Sequence, residues 1–228
     1  MNRKSIEEEF EGDIEIAVSI YSVPTTLKFT SPDAYTPQQV TSGPYHHWRQ
    51  QVYEMKRYKI AAARRIMKKF ICFNNFQEIV DQLQILETKI RSYYHKYLNI
   101  SSETLTWMMA IDVSFLLEFL EIYARKEGML SSRAKSRLTS HMCDSTGRKS
   151  VHIEILRDIL MLENQIPLFL ARKMLEFEFR SIDAADGALL LMLKGLLKEL
   201  YPFKIPEELP KDLIEDSAHV LDFFFTAN

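Results

Sequence analysis

The chain has 228 residues, of which 46% are hydrophobic, and this is sufficient for one folded domain with a sizeable core. Its 29 Lys and Arg residues nearly balance 31 Asp and Glu residues, which excludes a strong overall attraction to nucleic acid or acidic membranes. Two unpaired-looking cysteines, Cys72 and Cys143, and an acidic N-terminus without a secretory signal favour a reducing, cytoplasmic location.

The chain opens with an acidic segment, residues 1–19, for which the sequence favours no particular structure. The residues that follow include Pro24, Pro32 and Pro37. Because proline lacks a backbone N–H and breaks helices, residues 20–43 are predicted to form an extended, turn-rich segment. We take this segment as the start of a single helical domain over residues 20–228.

A helical pattern begins at Pro44. Apolar residues recur there at intervals of three, four or seven, as on one face of a helix: Trp48, Val52, Met55, Ala62, Ile66 and Phe70. Lys59 is the polar residue that interrupts this apolar stripe. A second amphipathic helix is predicted over residues 76–98. The two helices are expected to pack antiparallel to each other.

The most apolar helix is predicted over residues 101–128. A serine supplies its N-cap, Glu103 suits its N-terminal end, and Gly128 suits its C-terminal end. Because this segment is apolar nearly all round, we expect it at the centre of the fold. Residues 129–150 are rich in Ser, Arg and Lys without an apolar period, and they are predicted to form a flexible basic loop.

Helical spacing returns on both sides of Pro167, and two helices are expected to meet near Asn164–Pro167 because proline disfavours helix at the residue before it. Further helices are predicted over residues 184–200 and 212–225. The phenylalanine-rich sequence HVLDFFFTAN is expected either to dock onto the core or to be exposed because a further segment of chain that would cover it is missing. No succession of segments alternates as strands do, so the fold class is mainly α, an irregular multi-helix bundle with an extended N-terminal segment.

The sequence TSGPYHHW places two adjacent histidines, His46 and His47, after a Gly-Pro turn. They could ligate zinc, with His141 and Cys143 as a second pair, or assist a nucleophilic serine. Adjacent helical residues point about 100° apart, and no Gly-x-Ser-x-Gly elbow is present, so neither site is favoured. We favour a helix start with Pro44 at the first position, and we predict no metal or cofactor.

The basic run over residues 49–69 is a second candidate. Eight Lys and Arg residues there accompany a single acid, Glu54. Arg57, Arg64 and Lys68 share one face of the predicted helix. Such a face could bind phosphates, anionic lipid or an acidic partner, but a solvated outer face is the favoured interpretation.

Two carboxylates, Asp112 and Glu163, lie in strongly apolar sequence. Carboxylates in such surroundings need partners or a raised pKa, and groups of this kind gather at functional sites. We favour a structural role instead. Asp112 could cap a buried break near Asn164 and Gln165, where Pro167 leaves backbone groups unpaired.

Six segments follow one another in an order that resembles the plant family known as domain of unknown function 247: IYSVP, AYTPQQVTSGPYHH, MKRYK, MMAIDVSFLLEFL, RDILMLENQIPLFL and AHVLDFFF. The resemblance spans residues 20–225, and its most specific patterns are P-x-x-V-x-x-GPYHH and D-x-x-x-LENQIP. Ten residues occupy positions of the family signature, for which a structural role is expected: Gly43, Pro44, Tyr45, His46, His47, Asp112, Glu163, Asn164, Gln165 and Pro167.

The resemblance implies neither catalytic residues nor a cofactor. Full-length members are typically longer, with a variable second half and a hydrophobic C-terminal segment that looks like a membrane anchor. The present chain is therefore expected to be an N-terminal half, as a fragment, a truncated gene model or a short paralogue. It is expected in the cytoplasm as given, whereas anchored full-length relatives are expected at the plasma membrane.

Some grass members of the family are associated with pollen-side recognition in self-incompatibility. The resemblance and the absence of a catalytic motif therefore predict a non-enzymatic protein-interaction or recognition module. Its partner is an unknown protein, nucleic acid is not expected to bind, and the oligomeric state is not predicted. The alternative is a peripheral membrane or anionic-lipid binder that uses Arg57, Arg64 and Lys68 in the basic helix over residues 49–69. An enzyme built around the two buried carboxylates and His46 is a remote alternative.

Overall fold

The computed structural model describes residues 18–70, 73–126, 150–201 and 209–227, and within these ranges the secondary structure is helical, with only two isolated β-bridges. The predicted mainly α, multi-helix fold is confirmed. The helices are α1 (Thr25–Thr30), α2 (Pro32–Tyr35), α3 (Tyr53–Met67), α4 (Phe76–Gln84), α5 (Glu87–Ser92), α6 (Ser102–Lys126), α7 (Ser150–Ile159), α8 (Leu168–Phe179), α9 (Ile182–Leu200), α10 (Asp212–Asp216) and α11 (Val220–Thr226). Among the described residues, no helix has the length and apolarity needed to cross a membrane.

The longest of these helices, α6, lies at the centre of the fold, as its sequence predicts. Ser101 Oγ accepts a hydrogen bond of 3.2 Å from the backbone N–H of Thr104, which satisfies one free donor at the N-terminal end. Leu105, Phe115 and Tyr123 are among its many buried side chains. Helices α3, α4, α5, α8 and α9 all pack on α6. Burial by neighbours on several sides explains why the sequence of α6 is apolar nearly all round.

Ion pairs join α3 to α6. Their residue numbers increase together, so the two helices run in the same direction: Lys59–Asp112, Arg65–Glu118 and Lys69–Glu121. Arg65 meets Glu118 through two hydrogen bonds of 2.7 Å, a bidentate geometry that is stronger than a single contact. Pairing therefore gives a structural role to several cations of the basic run.

The first long helix begins later than predicted, at Tyr53 rather than Pro44. Residues 45–48 form a turn and Gln50–Val52 form a short 3-10 helix. The hydrogen bonds of the turn span three residues rather than four, so they do not start an α-helix. Trp48 was expected on the buried face and is 66% exposed, so both expectations are wrong. The later part of the stripe is buried as predicted, at Ala62, Ile66 and Phe70.

Two other predicted helices are each divided in two. Residues 76–98 contain α4 and α5, separated by a turn at Ile85 and Leu86, and residues 212–225 contain α10 and α11. Apolar spacing continues across each break, which is why the pattern did not reveal it. Because α3 and α4 both pack on α6 and touch each other little, their predicted antiparallel pairing is also wrong.

The remaining helix predictions are confirmed where the structure describes them. Helices α7 and α8 flank a bend at Leu160–Pro167, and α9 covers the predicted residues 184–200. The extended N-terminal segment also contains α1 and α2, which the sequence did not predict. The acidic segment 1–19 and the basic loop 129–150 lie outside the described residues, apart from residues 18–19 and Ser150, as do Cys72, His141 and Cys143.

Close contact between α6 and α9 yields a testable expectation at Gly195. A Cβ atom there would lie 2.8 Å from the backbone oxygen of Tyr123, whereas a Cβ at Gly187 in the same helix would meet nothing within 4 Å. We expect Gly195→Ala to lower the free energy of unfolding by about 1–3 kcal/mol through overpacking. Gly187→Ala, the matched control, should raise it by about 0.5–1 kcal/mol. Urea unfolding measures both, and equal effects would contradict the close contact.

Candidate functional site

The signature residues meet where the N-terminal segment, residues 18–43, crosses the bend at residues 160–167. The segment begins beside Tyr94, whose neighbour Tyr93 accepts hydrogen bonds from the N–H groups of Ser19 and Ile20 at 3.1 and 2.8 Å. From there the backbone of the segment is held mainly by side chains of other elements. We call these side chains, together with Gln165 of the bend, the signature cluster: Asp112, Asp158, Glu163, Asn164 and Gln165.

Asp158 binds three consecutive backbone donors. Its Oδ2 atom accepts hydrogen bonds from the N–H groups of Gln38, Gln39 and Val40 at 3.0, 2.6 and 2.9 Å. The carboxylate is fully buried near the end of α7. Three donors offset the cost of removing this charge from water, so Asp158 fixes the path of the segment.

The amide side chains of the bend hold both the segment and the bend itself. Asn164 Oδ1 accepts a 2.6 Å hydrogen bond from Ser42 N–H, and Asn164 Nδ2 donates to the carbonyl oxygens of Val40 and Asp158. Gln165 Nε2 donates to two carbonyl oxygens within residues 159–161 at 2.7 Å. The amide N–H groups of Asn164 and Gln165 therefore satisfy free carbonyl oxygens at the end of α7 and in the bend.

Asp112 has other partners, so its predicted contact with the bend is wrong. Its Oδ2 atom accepts a 3.0 Å hydrogen bond from Gly43 N–H, and its Oδ1 atom lies 2.6 Å from Lys59 Nζ. Both members of this ion pair are buried. Gly43 has a φ of 71°, a left-handed conformation that glycine adopts at no steric cost. The predicted structural role of Asp112 is thus exercised through Gly43 and Lys59.

Glu163 contacts two parts of the N-terminal segment and the turn that follows it. Its Oε1 atom accepts a 2.6 Å hydrogen bond from Val23 N–H, and its Oε2 atom lies 2.5 Å from Lys28 Nζ and 3.2 Å from His46 Nε2. The His46 contact is within ion-pair distance but does not meet hydrogen-bond geometry, because the ring nitrogen has no aligned partner. Lys28 is consequently the main counter-charge of Glu163.

The two histidines have different surroundings. Burial lowers the pKa of His46, with an opposing contribution from Glu163, and burial also lowers the pKa of His47. Both imidazoles are therefore neutral near pH 7. His47 packs edge to face against Trp48 at a ring distance of 4.9 Å. Among the described residues, no three His, Cys, Asp or Glu side chains are grouped so that they could hold a metal ion.

The other signature aromatic residue, Tyr45, ties the turn to the extended segment. Its hydroxyl donates a 3.1 Å hydrogen bond to the carbonyl oxygen of Ile20 and accepts one of 3.1 Å from Lys96 N–H. Its ring packs edge to face against Tyr94. The Tyr94 hydroxyl donates to the Gln165 carbonyl oxygen at 3.0 Å, so both tyrosines support the signature cluster.

A small cleft opens beside the buried Lys59–Asp112 pair. Its volume is about 80 Å³, and its lining combines cationic and aromatic side chains. Trp48 and Tyr53 are 66% and 49% exposed. Lys56 Nζ lies 5.7 Å from the centre of the Tyr53 ring, within cation–π range. We refer to this feature as the α3 cleft; its charged lining residues are Arg49, Lys56, Lys59 and Asp112.

The basic face predicted from the sequence lies on the outer side of α3. Arg57, Arg64 and Lys68 are all exposed, and within the described part of the chain they have no ion-pair partner. Arg65 and Lys69 from the same run point elsewhere and pair with α6. The structure thus divides the basic run into a paired inner set and an exposed outer set.

A model of a plant protein family of unknown function, DUF247, matches residues 20–227 of this chain. The chain belongs to the DUF247 family. It is 43% identical over 229 residues to a putative UPF0481 protein of Arabidopsis thaliana; the alignment covers 98% of this chain and 40% of that relative. The chain therefore spans well under half of the length of the relative. No solved structure gives a significant match.

Most of the signature residues of this DUF247 chain are brought together, as one cluster around the bend. Pro167 adds a backbone contact, because it pairs with His219 and its neighbour Leu168 donates a 2.8 Å hydrogen bond to Ala218. Pro44 is buried next to Gly43. Arg57, Arg64 and Lys68 lie on the exterior of α3 and take no part in the signature cluster.

Sequence reasoning missed Asp158 of the signature cluster and Lys59, the partner of Asp112. Asp158 is the first letter of the D-x-x-x-LENQIP pattern but was not singled out as a site residue. Lys59 was noted only as a polar interruption of an apolar stripe. A polar residue on a buried helical face requires a partner, and that rule could have identified both of them.

The C-terminal part of the chain docks onto the cluster through His219, which the sequence did not single out. His219 Nδ1 accepts a 3.0 Å hydrogen bond from Asp222 N–H and caps α11, while Nε2 lies 3.3 Å from the Ser19 carbonyl oxygen. These partners require a neutral ring with its proton on Nε2. Leu221 N–H also approaches Gln165 Oε1 at 3.3 Å, and Phe223 is fully buried, so this segment packs on the core.

Acid should weaken this docking through His219. Burial lowers the pKa of His219, so between about pH 6.5 and the lower folded pKa the unfolded chain binds more protons than the folded one. Stability present above that range is therefore lost as the pH falls. We expect His219→Asn, which keeps an N-cap acceptor, to reduce the fall in urea midpoint between about pH 7.5 and about pH 5.5.

A second variant separates capping from titration at this position. His219→Ala removes the cap and should cost about 1 kcal/mol even at the higher pH. An Asn variant that shows the full wild-type loss of stability on acidification would contradict the role of the His219 imidazole.

Proposed function

We propose that this DUF247 chain is a non-enzymatic module that recognises another protein through the surface around the N-terminal end of α3. The observation that carries the proposal is the contrast between two sets of polar and aromatic groups. The carboxylates and amides of the signature cluster are bound internally, whereas Trp48 and Tyr53 are exposed beside cationic side chains.

The internal bonding of the carboxylates argues against an enzyme built on them. Both oxygens of Asp112 and both oxygens of Glu163 have partners within the chain, and Asp158 holds three backbone N–H groups. A general base must reach the proton that it abstracts, and these buried carboxylates are occupied by backbone N–H groups and lysine side chains of the same chain. Their chemistry suits the positioning of a chain segment.

The composition of the exposed surface supports recognition of a protein. Tryptophan, tyrosine and arginine are enriched among residues that dominate binding energy at protein interfaces. At the α3 cleft, Trp48 and Tyr53 are accompanied by Arg49 and Lys56. Trp48 is 66% exposed and lies beside the exposed Tyr53, so both aromatic side chains are accessible to a partner.

The test compares matched variants of the full-length plant protein in its own tissue. Trp48→Ser/Tyr53→Ser removes the two aromatic residues, and Ile85→Ser removes an apolar side chain that is 76% exposed in the turn between α4 and α5. We expect quantitative affinity capture to recover specific proteins with wild type and with Ile85→Ser but not with the double variant. Identical protein sets from all three would overturn the proposal.

A second candidate function is binding to an anionic membrane surface through Arg57, Arg64 and Lys68. Their exposure on one face without an ion pair in the described residues favours it. Clustered cations attract acidic lipid by about 1 kcal/mol each near the surface. Sedimentation with phosphatidylserine vesicles tests it. Charge reversal of all three should abolish binding, and binding that survives the reversal would exclude this face.

A further inference from the structure

The α3 cleft contains more hydrogen-bond donors than its own acceptors can use. Lys59 has three N–H groups, and among the described residues its bond to Asp112 uses one of them. Arg49 Nε is buried and has no hydrogen-bond partner. Buried donors of a folded protein almost always have a partner, so these donors are available to an acceptor that enters the cleft.

The charges of the cleft indicate which acceptor suits it. Asp112 is the single acid among the described lining residues, and it neutralises Lys59. The charges of Arg49 and Lys56 then remain. Because burial keeps His47 neutral near pH 7, the cleft carries two uncompensated positive charges. A dianion balances them, whereas a carboxylate would leave one charge over.

The size of the cleft limits what can enter it. Its volume of about 80 Å³ is well below the roughly 300–1,000 Å³ of pockets for drug-sized ligands. It suits one functional group at the end of a larger molecule. Trp48 and Tyr53 at the rim offer aromatic faces to whatever carries that group.

We propose that the α3 cleft is a binding site for a phosphate monoester, whose oxygens accept hydrogen bonds from Arg49, Lys56 and Lys59. A phosphate monoester carries about −1.5 to −2 charge near pH 7 and three acceptor oxygens. The aromatic rim favours an aryl phosphate, the chemistry of a phosphorylated tyrosine side chain. This inference rests on the proposed function only in assigning the phosphate to a partner protein. Binding of a small phosphate probe to the cleft can be measured without that partner.

Phenyl phosphate is the probe, and its dissociation constant is measured by isothermal titration with the full chain. We expect saturable binding that is at least about tenfold tighter than that of benzoate, because a dianion with three acceptor oxygens makes more charge-assisted hydrogen bonds than a carboxylate. Arg49→Gln/Lys56→Gln should weaken it at least about tenfold. Arg64→Gln/Lys68→Gln removes the same charge from the outer face and should leave it unchanged.

Other arms of the experiment identify the source of the phosphate. Glucose 6-phosphate represents a free sugar phosphate, and vesicles with phosphatidylinositol 4-phosphate represent a lipid headgroup. Phenyl phosphate should bind more tightly than glucose 6-phosphate, which lacks the ring for Trp48 and Tyr53. If phenyl phosphate displaces the chain from these vesicles, the cleft is the phosphate-binding site and the phosphate belongs to a lipid headgroup rather than to a protein.

Several results would overturn the site. They are absence of saturable phenyl phosphate binding, equal affinity for benzoate, and equal losses in the two double variants. Unfolding midpoints establish that each variant folds, and Lys56→Gln alone changes an exposed side chain if Arg49→Gln does not fold. The chain could fail to bind phenyl phosphate and still capture proteins in a way that depends on Trp48 and Tyr53. That result would reject the phosphate site and leave the proposed function standing.

Discussion

Gly43→Ala is expected to lower the free energy of unfolding by about 2–5 kcal/mol. The left-handed φ of 71° costs a residue with a Cβ about 1–2 kcal/mol. The added Cβ would also lie 2.9 Å from the Gln165 backbone oxygen and 2.9 Å from the Tyr94 hydroxyl. Overpacking of this kind adds about 1–3 kcal/mol. Urea unfolding of the purified chain measures the sum.

Two controls separate strain from crowding at this position. Gly187→Ala makes the same chemical change where a Cβ meets nothing, and it should not destabilise the chain. Gly43→Ala in a Tyr94→Phe background removes one of the two close contacts, but the Gln165 backbone oxygen remains, so at most a partial recovery is expected. A Gly43→Ala variant as stable as wild type would mean that the N-terminal segment does not cross the bend here.

Asp158→Ala is expected to cost about 3–5 kcal/mol. The change removes the acceptor of three backbone N–H groups, at Gln38, Gln39 and Val40, and leaves a void in the core. Limited proteolysis within residues 18–43 should accelerate together with the loss of stability, because these bonds hold the segment to α7. The readouts are the urea midpoint and the first cleavage site, determined by mass spectrometry.

The conservative variant Asp158→Asn separates the contribution of the negative charge from that of the acceptor oxygen. Asp158→Asn keeps one acceptor of the right shape and loses the charge, so a smaller cost of about 1–2 kcal/mol is expected. Equal losses for Asn and Ala would show that the negative charge, rather than the acceptor, holds the three N–H groups. A neutral effect of Asp158→Ala would contradict the arrangement altogether.

These expectations share one physical basis, which is that buried side chains bind the backbone of the N-terminal segment. Asp158, Glu163 and Asn164 together accept hydrogen bonds from five of its N–H groups. Backbone N–H groups are common to every residue type except proline, so these contacts depend on the side chains that accept them. Those side chains are letters of the D-x-x-x-LENQIP pattern, in α7 and the bend.

The helices that could be predicted well are those whose sequence pattern is set by their immediate surroundings or by a proline. α6 is apolar on nearly every side and is surrounded, and α7 and α8 are separated by a proline. The helices predicted poorly are α3, which begins at Tyr53 rather than Pro44, and the two pairs α4/α5 and α10/α11, each predicted as one helix. Apolar spacing continues across each of these boundaries, so periodicity does not show them.

The candidate site shows the same division. The sequence indicated that Asp112 and Glu163 needed partners, since apolar surroundings make an unpaired carboxylate costly. It could not indicate that Lys59 and Lys28 supply those partners from 53 and 135 residues away. It also treated the basic run as one surface, whereas α6 pairs with one part of the run and leaves Arg57, Arg64 and Lys68 outside.

The sequence by itself determined the mainly α fold, the central helix, the bend before Pro167 and membership in a plant family through its ordered motifs. These features depend on local periodicity, on backbone chemistry and on residue identity. Only the tertiary structure decided that His46 and His47 belong to a turn rather than a helix, that the signature is a backbone-binding cluster, and that the cations around Tyr53 line a cleft. Those outcomes depend on side chains that meet across long sequence separations, where the free energy of burying a charge selects the partner.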